Sequence, residues 1–120
     1  MTVGSVFAGI GGFDLGFQRA GLEIIWRCEI DRFCQQVLAA KMHGPSARSD
    51  VNEVTAATAP YVDVLVGGFP CQDLSIAGQR RGLAGSRSGL FFEFVRVLGE
   101  LQPLLFVLEN VPGFLNSYHG

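Results

Sequence analysis

The sequence alternates short apolar runs with segments whose apolar residues recur at helical spacing. The apolar runs cover residues 3–7, 24–26, 62–66 and 104–108, and a further short strand is expected at 47–49. Strands that are apolar throughout are buried on both faces, as in parallel sheets that helices cover on both sides. The alternation therefore predicts an α/β fold with a doubly wound, mostly parallel sheet.

Three helices are expected between these strands. Their apolar positions recur at helical spacing and are Phe13, Phe17 and Ala20 in the first, Phe33, Val37, Leu38 and Met42 in the second, and Phe91, Phe94, Val95 and Leu98 in the third. Gly21 is typical of the residue that follows a helix C-terminus, and Asp31 is a good N-cap for the second helix.

Composition indicates one globular domain over residues 1–120. The chain is 48% apolar and 17% charged, which is enough apolar surface for a core. Its net charge of -2 is a weak argument against a stand-alone nucleic-acid module, although a local basic patch stays possible. Three cysteines without a C-x-x-C pair and only two histidines give no zinc spacing, so we expect no metal and a reducing, cytoplasmic setting.

Neither a membrane span nor a signal peptide is expected. No run approaches about 18 apolar residues, the length that a spanning helix needs. Asp14 interrupts the N-terminal apolar stretch, and no basic segment precedes it.

The glycine-rich loop after the first strand suggests a ligand site. In doubly wound sheets, ligands bind beyond the carboxyl ends of the strands. Glycines at positions 9, 11 and 12 allow a sharp turn and close approach to a ligand, but Asp14 stands where the dinucleotide fingerprint has its third glycine. A carboxylate there would repel a pyrophosphate, so the loop suits a ligand without phosphate, or is a plain strand-to-helix turn.

Acidic residues follow the second and third strands. Glu29 is placed to accept hydrogen bonds from ribose hydroxyls, or is a solvated or capping carboxylate. Asp50 could accept from an adenine amino group, or cap the short helix that follows it. With the glycine loop, they outline a site for adenosine without phosphate, which fits S-adenosylmethionine.

Cys71 and Glu109 follow the fourth and fifth strands. A structural cysteine usually lies inside an apolar run, but Cys71 lies beyond one, between Pro70 and Gln72, and is expected to be an exposed nucleophile. A carboxylate directly after an apolar strand is expected to be partly desolvated, which suits Glu109 for proton donation; a salt-bridged structural glutamate is the alternative.

The segment between Cys71 and the third helix is basic and rich in glycine. Arg80, Arg81 and Arg87 lie there with almost no acidic residue. This composition favours contact with a polyanion such as nucleic acid, and a solvated surface loop is the alternative.

Together these motifs resemble the C5-cytosine DNA methyltransferases over essentially the whole chain. "FAGIGG" is similar to the family's first motif, Glu29 to the second, Asp50 to the third and "GGFPCQDLS" to the catalytic fourth. "RGLAGSRSGLFFE" is similar to the fifth motif and "ENV" to the sixth. Their order and spacing make a chance match improbable.

The resemblance implies a Rossmann-like fold that uses S-adenosylmethionine, and it assigns roles to the motif residues. The implied catalytic residues are Cys71, which would add to cytosine C6 of a base flipped out of duplex DNA, and Glu109, which would bind and protonate N3. The implied cofactor residues are Phe7, Ala8, Gly9, Gly11, Gly12, Glu29, Ile30, Asp50, Val51, Pro70 and Leu90. The implied substrate residues are Gln72, Ser75, Arg80, Arg81, Arg87 and Asn110.

Family members continue well beyond "ENV", with a target recognition domain and further strands. We therefore expect the sheet to be incomplete on its C-terminal side and the isolated chain to be inactive or poorly soluble, because an unfilled apolar sheet edge promotes aggregation. The missing motifs would lie downstream or on a second chain. The first motif begins within ten residues of Met1, which leaves no room for a regulatory arm and favours a bacterial restriction-modification setting.

Three other functions remain open at this point. One is methylation of transfer RNA by the same chemistry; Phe69 before Pro70 favours DNA, because the related RNA enzymes tend to read Pro-Pro-Cys-Gln. Another is an inactive cofactor-binding fragment, although retention of both Cys71 and Glu109 argues against it. A nucleotide-dependent oxidoreductase is disfavoured by Asp14.

Overall fold

The computed structural model describes residues 1–70 and 89–112, which form a parallel sheet with helices on both faces. The strands are β1 (Thr2–Val6), β2 (Glu23–Cys28), β3 (Ala47–Arg48), β4 (Val64–Gly67) and β5 (Leu105–Leu108). The helices are α1 (Gly12–Arg19), α2 (Arg32–Lys41) and α3 (Gly89–Leu101), with a short 3-10 helix at Val51–Glu53. The strand order is β3-β2-β1-β4-β5, and every neighbouring pair is parallel. The predicted fold class is confirmed.

The two faces of the sheet carry separate apolar clusters. Val64 and Val66 of β4 lie on one face, where Phe17 of α1 packs against them. Leu65 lies on the other face, with Phe94 and Val97 of α3. Alternate residues of one strand therefore enter opposite layers, which explains why the strand sequences are apolar throughout.

The structure adjusts two details of the predicted elements and confirms a third. The fourth strand begins at Val64 rather than at residue 62, and just before it the carboxylate of Asp63 accepts the backbone N–H of Thr2 at 2.7 Å. Phe33, in the first turn of α2, is exposed rather than part of the core. Gly21 has φ 82 just after α1, as expected of a glycine that ends a helix.

Gly4 in β1 lies directly under the indole ring of Trp26. A Cβ at position 4 would lie 2.1 Å from Trp26 Cζ2, and the ring is tethered by its Nε1–H, which donates to the Pro60 carbonyl at 3.0 Å. The β1–β2 register also shifts between Val3 and Gly4. This contact leaves no space for any side chain at position 4.

We therefore expect Gly4→Ala to lower the free energy of unfolding by about 2–3 kcal/mol, the cost of overpacking a tight core. Urea unfolding followed by Trp26 fluorescence would measure it. Gly16→Ala is the matched control, because a Cβ there meets nothing within 4 Å and alanine is the better helix former. Equal stability of the Gly4→Ala variant and the wild type would contradict the packing argument.

The edge strand β5 leaves apolar side chains uncovered. Leu105 and Phe106 are each more than half exposed, and Leu104 beside them is 70% exposed. Within the described ranges, β5 is therefore an edge strand with exposed apolar side chains. No helix in the described ranges is both long and apolar enough to span a membrane.

Candidate cofactor and catalytic site

A cavity of about 290 Å³ opens at the carboxyl ends of the strands. Segments following β1, β2, β3 and β4 line it, together with the first turn of α3. The lining residues are Phe7, Gly9, Cys28, Glu29, Ile30, Ser49, Asp50, Val51, Asn52, Gly68, Pro70 and Leu90. The cavity therefore lies at the edge where doubly wound folds bind ligands.

Most of the predicted cofactor residues meet in this cavity. Those that line it are Phe7, Gly9, Glu29, Ile30, Asp50, Val51, Pro70 and Leu90. Ala8, Gly11 and Gly12 do not. Gly11, with φ 89, is the N-cap of α1, and a Cβ there would lie 2.9 Å from Leu38 Cδ2. Ala8 and Gly11 form the turn, in which the Gly11 N–H donates to the Ala8 carbonyl at 2.9 Å, and Gly12 begins α1.

Four lining residues were missed by the sequence analysis: Cys28, Ser49, Asn52 and Gly68. Each lies within two residues of a predicted one. The wall of a cavity is formed by consecutive residues, so it extends beyond the motif positions that the sequence marks. Adjacency to Glu29, Asp50 and Pro70 was the available signal.

Glu29 connects the glycine loop to the end of β2. Its Oε2 accepts the backbone N–H of Gly9 at 2.7 Å, and its Oε1 accepts that of Asp31 at 2.8 Å. Only 9% of the residue is exposed, so the solvated alternative is wrong. A carboxylate has about four acceptor sites, so two remain for a ligand after these bonds.

Asp50 caps the 3-10 helix and also lines the cavity. Its Oδ1 accepts the backbone N–H of Asn52 at 2.9 Å and the side-chain Nδ2–H of the same residue at 2.8 Å. The capping role is therefore confirmed. Within the described ranges, Oδ2 takes part in no hydrogen bond, and contact with an adenine amino group stays a prediction.

Phe7 has an unusual backbone conformation at the cavity wall. Its φ is 54°, in the left-handed region that bulky residues avoid. Such a conformation costs about 1–3 kcal/mol and is found mainly at functional sites, where the surrounding structure enforces it. Here the next residue, Ala8, donates its N–H to the Cys28 carbonyl at 3.1 Å, which fixes the chain as it leaves β1.

Asp14 has a different role from the one that the sequence suggested. It is fully buried and forms an ion pair with the Nε–H of Arg27, and it does not line the cavity. Its charge is compensated by Arg27, so the expected repulsion of a pyrophosphate was the wrong explanation. The missing third glycine reflects a buried ion pair between α1 and β2.

Cys28 lies in the cavity wall, and its thiol is expected to be unreactive. Burial, followed by the negative charges of Glu29 and Asp50, raises the pKa of the Cys28 thiol to about 12. The residue is therefore protonated at neutral pH and is a poor nucleophile.

Several predicted catalytic and substrate residues lie outside the described ranges. They are Cys71, Gln72, Ser75, Arg80, Arg81 and Arg87. Their assignments stay predictions.

Glu109 lies beside the cavity, at the end of β5. Its backbone N–H donates to the Gly67 carbonyl at 3.0 Å, and its Oε2 would lie 2.8 Å from a Cβ on Gly68. The absence of a side chain at position 68 thus lets the carboxylate approach the wall. Glu109 is exposed, so the expected desolvation is not found; β5 is the edge of the described sheet, and little covers this residue.

Asn110 follows Glu109 and is partly buried. Its Oδ1 accepts the N–H of Val111 at 2.8 Å. Its Nδ2 is buried and has no hydrogen-bond partner within the described residues. The side chain therefore fixes the turn after β5, and the predicted contact with substrate is untested.

Comparison with known proteins shows the family of this chain. The family model for C-5 cytosine-specific DNA methylases matches residues 1–120. The type II methyltransferase M.FnuDI of Fusobacterium nucleatum is 40% identical over 117 residues, covering 98% of this chain and 34% of the relative. The type II methyltransferase M.Eco47II of Escherichia coli is 42% identical over 123 residues, covering 99% of this chain and 29% of the relative.

A solved structure supports the same relationship. A protein encoded in an Escherichia coli prophage, described as a candidate DNA modification methyltransferase, matches with a TM-score of 0.74 and 31% identity. The match covers 96% of this chain and 33% of that one. The chain thus spans about a third of the length of these relatives. Sequence and fold agree that the chain belongs to the C-5 cytosine-specific DNA methylase family.

Proposed function

We propose that the protein transfers a methyl group from S-adenosylmethionine to C5 of cytosine in duplex DNA, through a covalent bond between Cys71 Sγ and C6 of a flipped base. The observation that carries the proposal is the cavity itself. It joins two carboxylates, Glu29 and Asp50, to a largely apolar wall, with Glu109 beside it.

The cavity has the chemistry that an adenosine group requires. Free acceptor positions on Glu29 and Asp50 suit ribose hydroxyls and an adenine amino group. Ile30, Val51 and Leu90 offer apolar surface for the adenine ring. Among the described lining residues no side chain is cationic, which suits a ligand without phosphate. When bound, S-adenosylmethionine supplies an electrophilic methyl group.

The sheet register supports a joint role for Cys71 and Glu109. Gly67 pairs with Leu108, so β4 and β5 end at the same level. Cys71 follows Gly67 by four positions, and Glu109 directly follows Leu108. A nucleophile and a proton donor on neighbouring strand ends can act on the same small ring.

The residues of this chain would act in the following order. The Cys71 thiolate forms a bond to C6, and Glu109 gives a proton to N3, so that the electron pair at C5 becomes nucleophilic. After C5 accepts the methyl group, its proton leaves to a base and the Sγ–C6 bond breaks. Cys71 returns as thiolate, N3 returns its proton, and the ring regains its aromaticity.

Access to the base requires it to leave the duplex, because stacking covers both faces of the ring. We assign Arg80, Arg81 and Arg87 to the phosphates of the DNA, on the basis of their charge and their position in the sequence between Cys71 and α3.

Covalent trapping tests this function. The protein expressed from its complete reading frame is incubated with S-adenosylmethionine and duplex DNA that contains 5-fluorocytosine, in which fluorine blocks the final elimination. We expect a denaturation-resistant complex whose DNA maps to Cys71 by peptide mass spectrometry. Cys71→Ser should give no complex, while Cys34→Ser, a matched change on α2, should give the wild-type yield.

The result that would overturn the mechanism is a complex that persists in Cys71→Ser or maps to another residue. Product analysis with normal DNA and transfer RNA in parallel tests the substrate: 5-methylcytosine should form in DNA. If it forms only in the RNA, the substrate assignment is wrong while the thiol chemistry stands.

A further inference from the structure

Arg96 on α3 binds the chain segment that follows β3. Its Nη2–H donates to the Val51 carbonyl at 2.9 Å, and its Nη1–H donates to the Val54 carbonyl at 3.0 Å. One guanidinium therefore holds both ends of the 3-10 helix. Arg96 itself does not line the cavity, whereas Asp50, Val51 and Asn52 do.

Two carboxylates of α3 orient this guanidinium. Glu93 Oε2 accepts from Nε–H at 2.7 Å, and Glu100 Oε1 accepts from Nη1–H at 2.8 Å. Glu100 also accepts the backbone N–H of Ala56 through Oε2, at 3.1 Å. Arg96 is 29% exposed, so each surface ion pair alone contributes little; the fixed fork geometry is what matters here.

The segment has little regular structure of its own to hold it in place. The 3-10 helix is three residues long, closed by the bonds from Glu53 N–H to Asp50 O at 3.1 Å and from Val54 N–H to Val51 O at 3.0 Å. The preceding strand, β3, is only two residues long and lies at the sheet edge. Short 3-10 turns are weak elements, so an external clamp has a large effect on their position.

We propose that Arg96 is a positioning residue for the cofactor pocket, which holds the Asp50–Asn52 wall in the conformation that binds the adenosine group. The proposal rests on the proposed function, since the ligand is S-adenosylmethionine or its product. Arg96 thus affects the affinity for the cofactor. If the wall adopts its binding conformation in only a fraction of molecules, the apparent Kd rises by the inverse of that fraction.

The test compares Arg96→Met, which keeps the aliphatic stem, with Arg19→Met as the matched control. Arg19 is an exposed residue in the last turn of α1, with no side-chain hydrogen bond within the described ranges. Calorimetric titration of the complete protein with S-adenosylhomocysteine should show a Kd about tenfold higher for Arg96→Met, corresponding to a competent fraction near one tenth. Arg19→Met should bind as the wild type does.

Two further measurements separate positioning from general stability. At saturating S-adenosylmethionine, kcat of Arg96→Met should stay within about twofold of the wild type, because the reacting groups are untouched. Amide hydrogen exchange over residues 51–56 should accelerate in Arg96→Met, with exchange in β1 and β4 unchanged. Arg96→Lys should show an intermediate Kd, because one ammonium cannot reproduce the fork.

The outcomes distinguish this proposal from the function on which it rests. If the wild type fails to bind S-adenosylhomocysteine, the proposed function falls and this proposal with it. If the wild type binds and Arg96→Met binds equally well, only the positioning role is wrong. Should Arg96→Met fail to fold, Glu93→Gln/Glu100→Gln replaces it; an unchanged Kd in that variant would likewise overturn the role.

Discussion

Replacing Glu29 with glutamine is expected to weaken binding of S-adenosylmethionine by about 100-fold, because the carboxylate has two simultaneous tasks. Its two oxygens already accept the N–H groups of Gly9 and Asp31. An amide has one oxygen, so its NH₂ group must face one of these N–H donors, and the glycine loop or the turn after β2 is displaced. In addition, hydrogen bonds to a charged acceptor are worth about 1.5–3 kcal/mol each, and the ribose would lose them.

Isothermal titration of the complete protein with S-adenosylmethionine measures this effect. Glu23→Gln is the matched control, since Glu23 is exposed at the start of β2, at the opposite end of the strand. Thermal unfolding of both variants shows how much of the change is structural. Wild-type affinity in a folded Glu29→Gln variant would show that the ribose is bound elsewhere.

The main features of the fold are predictable from the sequence because β4, a central strand, is apolar on both faces. Leu65 packs into one layer, and its neighbours Val64 and Val66 pack into the other. Because both faces are buried, the strand reads as an unbroken apolar run in the sequence. The same logic places the site, since residues that follow such runs meet at one edge of a parallel sheet. Glu29 and Asp50 were found in this way.

The contacts that hold the site together were not predictable in the same way. Arg96 lies on the partly exposed side of an amphipathic helix, and nothing in its spacing indicates that its partners are carbonyl groups more than 40 positions away. Phe7 belongs to an apolar run by composition, yet its positive φ follows from the turn that the loop imposes. Gly68 has no side chain, and the Glu109 carboxylate occupies the space that a side chain there would take. Only the tertiary structure shows this contact.

The buried pair of Asp14 and Arg27 is the clearest example of such a contact. Asp14 is 0% exposed and Arg27 is 1% exposed, and besides the ion pair Arg27 donates to the carbonyls of His43 at 2.7 Å and Pro45 at 2.9 Å. One side chain thus joins β2, α1 and the loop after α2. Gly44, between the two carbonyls, has φ 118 and would bring a Cβ to 3.3 Å from the guanidinium.

We expect Arg27→Met to lower the free energy of unfolding by about 3–5 kcal/mol, the cost of leaving one charge of a buried pair without its partner. Methionine preserves the apolar stem, so the loss is attributable to the guanidinium. Three acceptors each lose a hydrogen bond: the Asp14 carboxylate, the Pro45 carbonyl and the His43 carbonyl, which keeps its bond from Gln18 Nε2 at 2.7 Å. Urea denaturation followed by circular dichroism measures the difference, and Arg19→Met should stay within about 0.5 kcal/mol of the wild type.

A double variant separates the ion pair from the loop contacts. Replacing both partners, Arg27→Met with Asp14→Leu, removes the uncompensated charge and should be more stable than Arg27→Met alone, since buried pairs are often replaceable by apolar side chains of similar volume. What remains of the loss then measures the two hydrogen bonds that Arg27 made to the carbonyls of His43 and Pro45. If Arg27→Met alone is as stable as the wild type, the pair does not hold α1 against β2, and the glycine loop must owe its position to the Glu29 bonds.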